Sequence, residues 1–398
     1  ISWETAASDY TNLEAGIYSI EYTDKVNPEN GYPFNLFDFN IEQYNSCRNT
    51  KVFEITDPPT FDLALTNSEA VCQGDTNGEI AITPSGGTPN YEVNFYQGHF
   101  DDPDNPVVDT NAMTLLSDSP ISNVNTGQKV DKTGLAAGDY AVLLEDANGC
   151  LKAENITIIE NPLGQVDPIN DITACSGDLI TPAFTTSEAT GTTRYEWRND
   201  NPAIGLAASG TGDISFTATN TTNATISGTI TVTPFYSNYD VECEGPAETF
   251  EITVNPTPEI DPVSEVICSG EAFTVSPENG GGITNSDIVP DGTTYLWTVA
   301  DNPNVTGEGD QTTAQTEISQ ALTNTTNEPQ DVVYTVTPTS GDTGNCEGQP
   351  FTVTVTVNPV PVIEDVEEQV CSSEAFTVSP ENGGGITNSD IVPDGTTY

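Results

Sequence analysis

Cysteine is the residue whose type and spacing in this chain could do chemistry. Eight occur, at Cys47, Cys72, Cys150, Cys175, Cys243, Cys268, Cys346 and Cys371, and the intervals between them alternate as 25, 78, 25, 68, 25, 78 and 25. Thiols set out in this way either bind a soft metal or oxidise in pairs. Zinc needs clustered ligands such as CxxC or paired histidines. The sequence has no CxxC and only one histidine, His99. Disulfides therefore fit better, in an oxidising, extracellular setting. Each long interval could hold one sandwich domain closed by its own bridge. That reading pairs Cys72 with Cys150, Cys175 with Cys243 and Cys268 with Cys346. Cys47 and Cys371 are then left to pair with cysteines beyond Ile1 and Tyr398. Buried free thiols are the alternative.

Other catalytic sets are missing from the sequence. It contains no nucleophile elbow, P-loop, HExxH or GxGxxG motif, and a single histidine cannot supply a repeated His-based dyad. The expectation is a non-enzyme. Calcium is the one cofactor worth testing, because it takes six to eight oxygen ligands. Asp101, Asp102 and Asp104 form the densest acidic cluster. A solvated acidic loop is the alternative.

The elements that position these residues read as β-structure. FEITVNP at 250–256 and FTVTVTVNP at 351–359 alternate apolar and polar side chains, as half-buried strands do. No stretch sustains a helical apolar period. The chain's 398 residues suit about four units of roughly 100 residues. Residues 271–295 recur letter for letter at 374–398, an offset of 103 that marks tandem duplication. Asp57-Pro58-Pro59, Asn161-Pro162, Asn255-Pro256 and Asn358-Pro359 each follow an expected final strand. Proline stiffens such joints.

The resulting organisation has five parts. Residues 1–58 form the end of a first repeat, with an insertion at 24–42. Residues 59–162, 163–257 and 258–360 form three complete units, and 361–398 begin a further one. The chain starts at Ile1 and stops within a repeat, so it is expected to be a window of something longer. The fold class expected is all-β: tandem immunoglobulin-like antiparallel sandwiches arranged as an elongated rod. Trp197 and Trp297 are expected in the cores, packed on intersheet disulfides as in immunoglobulin domains. In the insertion, Tyr32, Phe34, Phe37 and Phe39 are many aromatics for a loop and are candidate binding residues.

Charge narrows the partners. The chain carries 61 acidic and 8 basic residues, net -53, and no Lys or Arg follows Arg198. Phosphate neutralisation, and so nucleic-acid binding, is excluded, as is attraction to an anionic membrane. No apolar run approaches the ~20 residues that span a bilayer.

Motif by motif, the second unit resembles the SprB repeat. The residues that carry this are Cys72, Gly74, Asp75, Gly78, Ile80, Gly86, Gly87, Tyr91, Leu135, Ala137, Gly138, Tyr140, Asp146, Asn148, Gly149 and Cys150. The later units, with C-S-G-E-x-F, Y-x-W, C-E-G-x-P and V-x-V-N-P, resemble the PKD-like repeats of Bacteroidota surface proteins. The resemblance implies a large cell-surface adhesin exported by type IX secretion and associated with the outer membrane. It further implies a structural stalk or filament segment that supports attachment and gliding motility. Secretion and gliding machinery, and an unidentified surface polysaccharide or protein ligand, would be its partners. The alternative is a carbohydrate- or protein-binding region of a secreted multidomain protein whose catalytic domain, if any, lies elsewhere.

Overall fold

A computed structural model describes residues 16–23, 48–55, 59–187, 190–341 and 344–398. The fold is all-β, built of tandem immunoglobulin-like sandwiches. The chain divides into two compact units, 1–161 and 162–398.

In the first unit, strand Gly16–Thr23 pairs antiparallel with Arg48–Ile55, Gly16 facing Ile55. Gly138 faces Ile158 in the same way in the next hairpin. The facing residues are 39 positions apart in one hairpin and 20 in the other, so the registers correspond although the first connection is longer. Residues 24–42, with Tyr32, Phe34, Phe37 and Phe39, lie outside the described residues.

Residues 62–161 make a sandwich. One sheet joins Asp62–Asn67, Gly78–Ser85 and Val130–Leu135. The other runs from Ala70–Cys72 through Leu151–Asn161 and Gly138–Glu145 to Tyr91–Gln97, with Thr114–Leu115 and Ile121–Val124 at that edge. Alternation sends Ile80, Ile82, Tyr91, Val93, Phe95 and Val142 into a shared core, each fully buried.

Several motif residues of the second repeat hold this sandwich together. Tyr140 donates its hydroxyl to Ala136 O at 2.9 Å, which closes the L-x-A-G-x-Y turn. The Tyr91 hydroxyl donates to Gly86 O. A Cβ on Gly86 would stand 1.8 Å from Thr60 O, so that approach admits only glycine. Asp146 accepts from the backbone N–H groups of Thr88, Asn148 and Cys150, each at 2.9 Å. These bonds hold its carboxyl below the usual carboxylate range. The D-x-N-G-C motif is therefore a carboxylate-capped turn.

The second unit repeats the architecture twice. The main sheet of the first sandwich joins Ile172–Cys175, Glu248–Asn255, Ile226–Asn238, Thr192–Asn199 and Ser209–Thr211. That of the second joins Val263–Cys268, Phe351–Asn358, Gln330–Thr339, Thr294–Val299 and Gln311–Gln315. Separate cores fill them, one around Ile204, Ile230 and Ile252, the other around Tyr334, Val353 and Val355. Trp197 and Trp297 are buried in these cores. Gly210 lies against the Trp197 ring, where a Cβ would come within 2.2 Å of it. Trp297 donates to Gly309 O at 3.2 Å.

In all three sandwiches the strand that ends on the early cysteine runs parallel to the last strand. Cys72 stands opposite Asn161, Cys175 opposite Asn255 and Cys268 opposite Asn358. This pairing corrects the expected disulfides. The later cysteine of each sandwich precedes the last strand, and the earlier one lies at that strand's far end. Strand Glu248–Asn255 has eight residues, roughly 25 Å of rise at the usual ~3.3 Å per residue. A disulfide needs its Cα atoms within about 7 Å. Cys175 therefore does not pair with Cys243, nor Cys268 with Cys346. Cys72 is disulfide-bonded while Cys150 is a free, exposed thiol, so these two are not paired either. Neither tryptophan rests on an intradomain bridge.

Candidate functional site

The feature with chemistry in it is the junction between the sandwiches at 163–257 and 258–360. Cys175 and Cys346 form a disulfide across it, with Cα atoms 5.6 Å apart and 171 residues between them in sequence.

Each partner is held by local structure that the sequence motifs encode. On the Cys175 side, C-S-G-D forms a turn at the end of the first strand. Asp178 accepts from Cys175 N at 2.8 Å, and Asp178 N donates back to Cys175 O at 3.1 Å. Ser176 N donates to Asn255 O at 2.9 Å, which ties the turn to the end of the last strand. The cysteine thus sits where the chain leaves its sandwich. On the other side, Cys346 is 1% exposed. Its N–H donates to Ser340 Oγ at 2.8 Å, and its carbonyl accepts from Ser340 N at 2.9 Å. It sits where the chain enters its sandwich. Exit of one domain and entrance of the next are adjacent, and the bridge closes there.

The linker is packed into this joint. Asn255, Pro256 and Pro258 are buried and Thr257 is half-buried. Thr257 Oγ1 donates to Ser176 O at 2.8 Å. Thr225 Oγ1 donates to Asn255 Oδ1 at 3.0 Å. Gly348, in the C-E-G motif, lies so close that a Cβ would stand 2.3 Å from Pro258 O. Gly245, in the matching C-E-G of the preceding sandwich, would meet Gly164 O at 1.7 Å. The motif therefore combines a bonding cysteine with a glycine that lets the incoming linker press against it. Beside the joint, Asn223 of one sandwich and Pro277, Asn279, Pro290 and Tyr295 of the other line one groove.

A second built feature is the pair of buried asparagines that open N-T-T-N. Asn220 donates to Ala224 O and Val254 O and accepts from Thr222 N and Oγ1. Asn324 repeats the set with Glu328 O, Val357 O and Thr326. Both are sequon residues whose amides are already committed inside the protein. Nothing in a sequon's letters distinguishes them from the exposed Asn223 and Asn304.

The calcium candidates do not come together. Asp101, Asp102 and Asp104 are exposed, and Asp102 Oδ1 accepts from Asp104 N at 3.1 Å within its own turn. Among the described residues no group of three or more His, Cys, Asp or Glu side chains is placed to hold a metal. His99 is exposed nearby. Cys371 is an exposed thiol, and Cys47 lies outside the described residues. Among the described residues no helix is long and apolar enough to cross a membrane. A disulfide at a domain junction fits a secreted or extracellular protein.

Residues 265–361 match the PKD-like domain. No curated protein matches the chain. Solved structures with similar folds include the human desmocollin-1 ectodomain, 13% identical, covering 94% of this chain and 80% of that one, with a TM-score of 0.32. The I9–I11 tandem of titin is 11% identical, covering 75% of this chain and all 100% of that one, at 0.29. The insect immune protein hemolin is 14% identical, covering 87% of this chain and 93% of that one, at 0.26. PKD-like and immunoglobulin-like domains are in general structural or binding modules.

Proposed function

We propose that this chain is a stalk or filament segment of a large extracellular adhesin, with a mechanical and not a catalytic role. One observation carries the reading: the Cys175–Cys346 bridge joins consecutive sandwiches across a buried, proline-containing linker. A binding module or an enzyme needs its domains folded. Fixing successive domains to one another suits a part that transmits force or holds a distance. Net charge of -53 suits the same role, because like-charged segments repel and stay apart. The finer reading, a gliding-motility adhesin exported by type IX secretion and held at the outer membrane, is supported by the SprB-like and PKD-like motifs.

Small-angle scattering of the 398-residue protein tests the stalk. An extended particle is expected, one that becomes more flexible when thiol reductant is added. A compact globule, or a profile indifferent to reductant, would remove the reading. Loss of surface attachment and of gliding in cells without the gene tests the finer part.

A further inference from the structure

Cys268 stands where Cys175 stands, with nothing on it. Cys268 N donates to Glu271 Oε2 at 3.0 Å, as Cys175 N donates to Asp178. Ser269 N donates to Asn358 O at 2.8 Å, as Ser176 N donates to Asn255 O. The two ends differ in what covers them. At the first, Asn255, Pro256 and Pro258 are buried. At the second, Asn358 and Pro359 are only half-buried, and Val360, Pro361 and the Cys268 thiol are exposed.

The segment beyond the second end is a half-built sandwich of the same kind. Its loop already folds: Glu364 N donates to Asp390 Oδ1 at 2.9 Å as Asp261 N does to Asp287 Oδ1. The bridge Val362↔Ile391 repeats Glu259↔Ile288. Its core positions are open. Phe273 is 2% exposed while its copy Phe376 is 66% exposed, and Val275 is 6% exposed while Val378 is 38% exposed. The strands that cover Phe273 and Val275 in the complete sandwich come from residues 318–355.

We infer that Cys268 is the docking thiol for the C-E-G cysteine of the PKD-like sandwich that 361–398 begin, so that the sandwich at 258–360 is bonded to the one after it as the sandwich at 163–257 is bonded to it, and not within itself. The bond forms by thiol–disulfide exchange. A low-molecular-weight disulfide accepts the two electrons and two protons of the paired thiols and leaves as two thiols. Cys371 would present the same turn to the sandwich after that, its carbonyl already accepting from Glu374 N at 3.0 Å.

The test extends the full chain by joining a copy of residues 296–360 after Tyr398, the equivalent of Tyr295, with Thr335→Ser in the copy so that its C-E-G peptide differs in mass from that of Cys346, and folding it in a glutathione redox buffer. Non-reducing digestion with a Glu-specific protease should link the added C-E-G cysteine to Cys268 within one chain and leave Cys371 alkylatable. A Cys175–Cys346 link in the same digest shows that the extended chain has folded. Cys268→Ser should free the added cysteine for alkylation. In the unextended protein, Cys268 should alkylate while Cys346 stays protected. A link from the added cysteine to Cys371, a link between two chains, or a Cys268 that resists alkylation in the unextended protein would each overturn the inference.

Discussion

Cys175 and Cys346 are bonded to each other across a domain boundary, and each has passed over the cysteine of its own sandwich to do so. The cause is the parallel pairing of first and last strands, which places the early cysteine at the exit of its domain. Closing a loop of 171 residues contributes about 5 kcal/mol through the lost entropy of the unfolded chain.

Gly348 should be intolerant of any side chain. Gly348→Ala would place a Cβ 2.3 Å from Pro258 O, and backbone cannot yield as a flexible side chain does. The expected loss is about 1–3 kcal/mol, the usual cost of overpacking. Chemical denaturation followed by tryptophan fluorescence measures it. A variant as stable as the parent would show that the linker does not press on the C-E-G turn.

Asn220→Ala and Asn324→Ala should each destabilise by about 1–3 kcal/mol, because buried carbonyls at Val254 or Val357 lose their donor. The same burial predicts that a host able to glycosylate sequons would modify Asn223 and Asn304 in preference to Asn220 and Asn324. Glycopeptide mapping reads the outcome.

Asp146 makes the sandwich at 62–161 acid-sensitive. Its folded-state pKa lies below the ordinary value because Cys150, Thr88 and Asn148 donate backbone N–H groups to it. A depressed carboxylate pKa gives stability that is complete above the unfolded value, about 3.9, and is lost as pH falls through the folded one. Asp146→Asn should therefore lower the melting temperature at pH 7 and approach the parent as pH falls through the depressed folded-state pKa. A gap that stays constant with pH would contradict the assignment.

Trypsin should leave residues 199–398 uncut even when the chain is reduced and unfolded, since no Lys or Arg follows Arg198. Denaturing electrophoresis after digestion checks this.

The strands were legible because alternation is local: FEITVNP and FTVTVTVNP announce their buried faces residue by residue. The two tryptophans were read as core from an immunoglobulin-like disulfide that neither has; what buries them is alternation along their own strands. The disulfide partners were not. Even spacing of cysteines suggests one bridge per domain, and nothing in ITACSGD states that its strand will lie parallel to residues 252–255. That pairing joins residues 80 apart, and the bridge then spans two sandwiches. The signal present but unread was C-E-G, whose glycine is required only if a linker passes against it. Asp146 and its neighbours were visible as a motif, yet a capped turn and a ligand site look alike until hydrogen bonds are drawn. The acidic run at Asp101–Asp104 stands out by composition, but density along the chain is not convergence in space.

Disulfide mapping of the untreated protein tests the central claim most directly. Mass spectrometry of a non-reduced digest should contain a peptide linking Cys175 to Cys346, with Cys268 recovered as a free thiol. Peptides linking Cys175 to Cys243, or Cys268 to Cys346, would restore one bridge per sandwich and contradict the account.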